Sequence, residues 1–161
     1  NAMGGLEGRS PGVVGAALSD QEAFAELILD LHHVHKASFL AALAAKPDRL
    51  SLITDAIRAC GMSEGQSELG GQTVFIKEGL ATLPDGTLAG SVLSLDQALR
   101  NAVSAGLSIK KASQLLSATP AQYMGLGDRG VIDVGKRADL LILNSDLQLQ
   151  EVYVKGKKVV G

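Results

Sequence analysis

Leu50-Ser51-Leu52-Ile53-Thr54-Asp55 is an apolar run of strand length that ends on a carboxylate. A short continuous apolar run bounded by polar residues suits a strand buried in a parallel sheet. Upstream, Glu26-Leu27-Ile28-Leu29-Asp30 has the same form. Between them, Lys36 to Lys46 is rich in Ala and Leu and reads as a helix that Pro47 stops. Strand, helix and strand in that order make a βαβ unit, so the fold class is α/β.

Working outward, residues 1 to 18 carry Gly4, Gly5, Gly8, Gly12 and Gly15 and read as a loop. Ser19-Asp20-Gln21-Glu22 has the spacing of a capping box and predicts a short helix before the first strand. From Gln66 to Thr87 the pattern turns to short β pieces, Thr73 to Lys77 and Leu80 to Leu83, with Pro84-Asp85-Gly86 as a turn. Helices follow over Ser94 to Ala105, with Ser94 and Gln97 at capping-box spacing, then over Ser108 to Ser117 and Thr119 to Tyr123. The tail is strand-like over Asp139 to Leu143 and Leu149 to Val154, joined through Asn144-Ser145-Asp146 and followed by a Lys155-Gly156 turn.

The chain has 161 residues, 46% of them hydrophobic and only 3% aromatic, so a packed core must come from small aliphatic side chains. A net charge of −2 with scattered Lys and Arg offers no basic stripe, which argues against nucleic acid as a partner. The single Cys60 cannot form an internal disulfide, and no stretch of roughly 18 apolar residues offers a membrane span. With no charged-then-apolar leader in sight, a cytoplasmic location is the expectation.

Asp55 is the first candidate for chemistry, because in parallel α/β folds the edge where strands end is where ligands bind and catalytic groups collect. Its alternative role is to cap the following turn. Asp30-Leu31-His32-His33-Val34-His35 gathers all three histidines of the chain at the end of the other strand. In an extended segment His33 and His35 would share a face and could chelate a metal or hold an anion; alternatively one histidine is functional and the others pack or bond locally. Arg9, in Gly8-Arg9-Ser10-Pro11-Gly12, suits a phosphate or is simply solvated. Leu88-Ala89-Gly90-Ser91 lets backbone approach a ligand or forms a tight helix entry capped by Ser91 or Ser94.

These stretches carry a family resemblance. Asn1-Ala2-Met3, Gly8 to Gly12, His33-Val34-His35, Leu52 to Ala56 and Gly86 to Ser91 stand in the order seen in N-acetylglucosamine-6-phosphate deacetylases. Gly130-Val131-Ile132-Asp133-Val134-Gly135-Lys136-Arg137-Ala138-Asp139-Leu140 resembles the tail signature of the wider amidohydrolase superfamily. The resemblance spans nearly the whole chain and corresponds to the C-terminal portion of such an enzyme.

It implies the C-terminal part of a distorted (β/α)8 barrel plus strands of a small β-sandwich. Residues 1–137 would hold the last two barrel strands, a β insertion near 66–87 and the C-terminal helices, and residues 138–161 the sandwich strands. It further implies hydrolysis of an N-acetyl group from a phosphosugar with a divalent metal, zinc or iron. Asp55 matches the carboxylate that takes a proton from the attacking water and passes it to the leaving amine. Arg9 and His33 match residues that contact the sugar phosphate, Asn1 and Ala2 match a substrate-binding pair beside the same phosphate, and Leu88, Ala89 and Gly90 match a substrate-lining loop. The family's metal ligands, a Glu and two His, have no match in this chain, so it supplies none and is expected to be inactive alone. N-acetylgalactosamine 6-phosphate is an alternative substrate, and a non-catalytic phosphosugar-binding or interaction module is the competing class. Leu31 stands where the family more often has Gly. A part-barrel leaves strand edges open, which predicts a homodimer or other self-association.

Overall fold

A computed structural model describes residues 3–161. The decisive stretch forms β2, Leu50–Ile53, and pairs in parallel with β1, Ala25–Ile28, in the register Ala25 to Leu50 through Ile28 to Ile53. Helix α2, Lys36–Ala45, connects them. The βαβ reading of the sequence therefore holds, with β1 ending two residues earlier than the apolar run suggests.

Alternation along the strands sorts their side chains onto two faces. Leu27, Leu29, Leu50 and Leu52 form one cluster with Phe39 of α2 and with Leu99, Ala102, Ala112 and Leu115 of the later helices. On the other side Ile28 packs with Leu93 and Ala98, and Ile53 joins them. Each fully buried Leu or Phe contributes about 1.5–3 kcal/mol, enough for this small aliphatic core to fix the two strand ends in space. The later helices are α3 (Leu95–Ser104), α4 (Ile109–Leu116) and α5 (Ala118–Tyr123). The amide of Asn101 on α3 donates to the Leu29 carbonyl at 2.8 Å, so α3 is tied directly to the chain leaving β1.

Two antiparallel sheets complete the fold. One joins β3 (Gly65–Leu69), β4 (Gln72–Lys77) and β5 (Leu80–Thr82) around Val74, Ile76 and Ala81. The expected turn after it is present, with the Gly86 amide donating to the Leu83 carbonyl at 2.9 Å. The other joins β6 (Leu140–Leu143), β7 (Leu149–Val154) and β8 (Lys157–Val160).

Several expectations need correction. Residues 1–18 are not wholly a loop, because α1 spans Gly12–Ser19; its Val-, Ala- and Leu-rich sequence sustains a helix despite two glycines, although it buries no residue. The helix expected from Ser19 is instead a turn. The Asp20 carboxylate accepts from the amides of Glu22 and Ala23 at 2.8 and 3.2 Å, a local bond that competes with helix formation. The Ser94–Gln97 capping box does not form: Ser94 makes no side-chain cap, and Gln97 bonds Asn101 and Arg100 instead. Strands β3 and β8 were not expected, since Gly65-Gln66-Ser67-Glu68 and Lys157-Lys158 carry little apolar signal.

Candidate functional site

Asp30 and Asp55 occupy equivalent places, each two residues beyond the paired Ile28 and Ile53 at the same end of the parallel strands. Each turn also contains a non-glycine residue in the left-handed region, Leu31 at φ 69° and Asp55 itself at φ 50°. Such conformations cost about 1–2 kcal/mol and persist only where the surroundings impose them.

After β1 the imposing group is the Asp30 carboxylate. One oxygen accepts from the amides of His32 and His33 at 2.9 and 2.8 Å, and the other lies 2.6 Å from His33 Nδ1. The two side chains are 8% and 11% exposed, so this is a pair held away from bulk water. Burial pushes the Asp30 carboxyl up, yet the bonds from His33 and His32 outweigh it and hold the group below the ordinary carboxylate range.

The three histidines do not gather. His33 is bound to Asp30, His35 caps α2 by accepting from the Ala37 amide at 3.2 Å, and the His32 side chain is exposed. The two rings expected to act together are engaged separately, His33 on Asp30 and His35 on the Ala37 amide, in a segment of bends rather than extended chain. Among the described residues no group of three or more His, Cys, Asp or Glu side chains could hold a metal ion. The residues described here therefore do not fit a divalent metal.

After β2 the backbone makes the bonds. The Thr54 hydroxyl accepts from the Ala56 amide at 3.3 Å, the Asp55 carbonyl accepts from the Ser91 amide at 2.9 Å, and the Ile57 amide donates to the Ser91 carbonyl at 2.9 Å. A short parallel bridge, Ala56 to Ser91, thus brings Gly90, the last residue of Leu88-Ala89-Gly90, beside Asp55. Gly90 has φ +70°, and a Cβ there would lie 2.6 Å from Ile57 Cγ2 and 3.8 Å from Asp55 Oδ2. Only glycine allows this approach. Ser91 is buried and its hydroxyl accepts from the Leu93 amide at 2.8 Å, so it shapes the loop and does not cap a helix. The Asp55 side chain is exposed, and its carboxylate has no partner among the described residues.

The structure therefore brings Asp55 and Gly90 together, and sets His33 at the neighbouring strand end. Ala89 is buried and Leu88 exposed. Arg9 lies on an exposed bend before α1, and Asn1 and Ala2, expected beside the phosphate, lie outside the described residues. A polar recess of about 330 Å³ opens at this end, lined among others by Asp30, Gly79, Ser94, Gln97 and Asn101. Neither Asp30 nor Asn101 is a site candidate on sequence alone. An Asp three residues before a His at a strand end was the available signal for the first; the second bonds 72 residues away and gave none.

The sequence profile of the Amidohydrolase family matches residues 22–159. The chain belongs to the amidohydrolase family. It is 41% identical to a protein of Escherichia coli K12, provisionally named an N-acetylgalactosamine-6-phosphate deacetylase, over 98% of this chain and 95% of that one. It is 40% identical to the N-acetylglucosamine-6-phosphate deacetylase of Vibrio furnissii over 99% of this chain and 40% of the relative. The fold is similar to that of a variant N-acetyl-D-glucosamine-6-phosphate deacetylase from Mycobacterium smegmatis, solved in complex with N-acetyl-D-glucosamine-6-phosphate. The TM-score is 0.93 at 35% identity, covering 100% of this chain and 44% of the other. The chain thus spans less than half the length of the Vibrio and Mycobacterium proteins, and nearly all of the Escherichia coli one.

Proposed function

We propose that this chain is the C-terminal portion of a deacetylase that hydrolyses N-acetylglucosamine 6-phosphate to glucosamine 6-phosphate and acetate. The observation that carries the reading is Asp55, a carboxylate without a protein partner among the described residues, set at a parallel strand end against a glycine loop. Asp55 would take the proton of the attacking water and return it to the leaving amine, sparing the reaction the expulsion of an amide anion. His33, Arg9, Asn1 and Ala2 would contact the phosphosugar, and Leu88, Ala89 and Gly90 would line it. The names of the relatives support both the glucosamine and the galactosamine substrate.

On this reading residues 1–137 belong to a distorted (β/α)8 barrel, with β1 and β2 as its last two strands, and residues 138–161 to a small β-sandwich. Deacetylases of this family are generally metal-dependent, and zinc or iron would be bound by residues of the full enzyme with no match in this chain. The chain alone is then inactive, and its location is the cytoplasm; no helix among the described residues is long and apolar enough to cross a membrane. Self-association is supported by the two-stranded sheet of β1 and β2 and by exposed apolar side chains such as Ile132 and Val134. Light scattering of a monodisperse monomer across a broad concentration range would contradict that part.

The test is acetate release from N-acetylglucosamine 6-phosphate with added zinc, by the chain alone and with the upstream half of a relative supplied separately. No release alone and release from the pair is the expected result. Release by the chain alone would overturn the inactivity. Phosphosugar binding with no release from the pair would favour the non-catalytic module.

A further inference from the structure

We propose that Asp30 is the positioning residue of His33, fixing its imidazole as the Nδ1–H tautomer and so committing Nε2 to the phosphosugar. The inference rests on the reading of His33 given above, but its geometry is independent of it. The Asp30 carboxylate spends one oxygen on the amides of His32 and His33, which sets the backbone of the turn, and the other on His33 Nδ1 at 2.6 Å. An ionised carboxylate can only accept, so the nitrogen facing it must carry a hydrogen. That leaves Nε2 as the nitrogen open to a ligand, and among the described residues it has no protein partner.

The arrangement has a cause in the chain's path. Leu31 at φ 69° reverses the backbone directly after Asp30, which lets residue 33 fold back onto residue 30. The side chains of the pair are 11% and 8% exposed, so water does not compete effectively for Nδ1. Asn101 holds the preceding Leu29 carbonyl from α3, so the strand end that carries Asp30 is fixed from outside the turn. A ring fixed in tautomer and orientation presents one nitrogen to a ligand without first selecting among its states.

The experiment is ¹⁵N spectroscopy of the imidazole nitrogens of this chain at about pH 8.5, above the ordinary imidazole pKa of about 6.5. His33→Asn assigns the resonances. Nδ1 of His33 is expected in the protonated range and Nε2 in the bare range. In Asp30→Asn the new amide can donate to Nδ1, and the two nitrogens should exchange ranges; backbone amide spectra verify that this variant is folded. A protonated Nε2 in the wild-type chain, or an unchanged tautomer in folded Asp30→Asn, would overturn the proposal. Should Asp30→Asn fail to fold, the wild-type spectrum alone decides. Titration with N-acetylglucosamine 6-phosphate then tests the underlying reading. A shift of Nε2 supports both, whereas a fixed tautomer with an unresponsive Nε2 refutes the phosphosugar role and leaves Asp30 as the residue that orients the ring.

Discussion

The turns after β1 and β2 begin at the same register, end on the same residue type and solve the same steric problem in opposite ways. After β1, a carboxylate does the holding: three bonds converge on Asp30, and its side chain is removed from water. After β2, the backbone does it through the bonds to Ser91, and the Asp55 carboxylate remains exposed and without a partner among the described residues. A carboxylate whose oxygens are taken up by such bonds holds the fold, whereas one left without a partner is available to take up a proton. The two aspartates at equivalent positions therefore differ in what they leave free: Asp30 is used up in holding its turn, and Asp55 is left available for the proton transfer proposed above.

The largest effect that would sharpen this contrast is on stability. Asp30→Ala removes all three bonds and strands the imidazole, and should cost about 3 kcal/mol in urea unfolding. The pH dependence has a definite sign. Because the Asp30 carboxyl is held below its ordinary value of about 3.9, its contribution is complete above that pH and is lost as pH falls through the folded value. Acidification below about pH 4 should therefore destabilise the wild-type chain more steeply than Asp30→Asn. Parallel slopes would mean that the first turn does not depend on the charge. Next in size, Gly90→Ala should cost about 2 kcal/mol, since its Cβ meets Ile57 and its φ is left-handed. A neutral outcome in the same unfolding experiment would show that the loop beside Asp55 is not held by this close approach.

The sequence announced the βαβ unit because buried parallel strands need uninterrupted apolar runs, and Leu50 to Ile53 could hardly be solvated. The same run placed Asp55 at a strand end, two residues beyond the paired Ile53, as its position in the sequence suggests. The sequence did not announce β3 and β8, whose polar residues are strands only because an antiparallel neighbour supplies their hydrogen bonds. The separation of the histidines was equally hidden. Their spacing invites a shared ligand only if the chain runs extended, whereas Asp30 gathers the next amides and the His33 ring into a turn and His35 is spent on capping α2. Residues far apart in sequence, such as Asn101 and Leu29, leave no local trace at all.

Two smaller effects probe the turns one residue at a time. Leu31 is exposed, so Leu31→Gly loses little packing while relieving about 1–2 kcal/mol of left-handed strain, partly offset by glycine's greater freedom when unfolded. A net gain of about 0.5–1 kcal/mol should appear as a higher urea midpoint with unchanged slope. Asp55→Asn is the most discriminating of all because its structural effect should be nearly nil. Asn tolerates the left-handed region, the bonds to Ser91 come from backbone, and stability should stay within about 0.5 kcal/mol of wild type. When the chain is supplied with the upstream half of a relative, the same substitution should lower acetate release by about 100-fold or more, the ordinary yield of a positioned proton carrier. A loss of stability without a loss of acetate release would invert the contrast, making Asp55 the architectural residue of the pair.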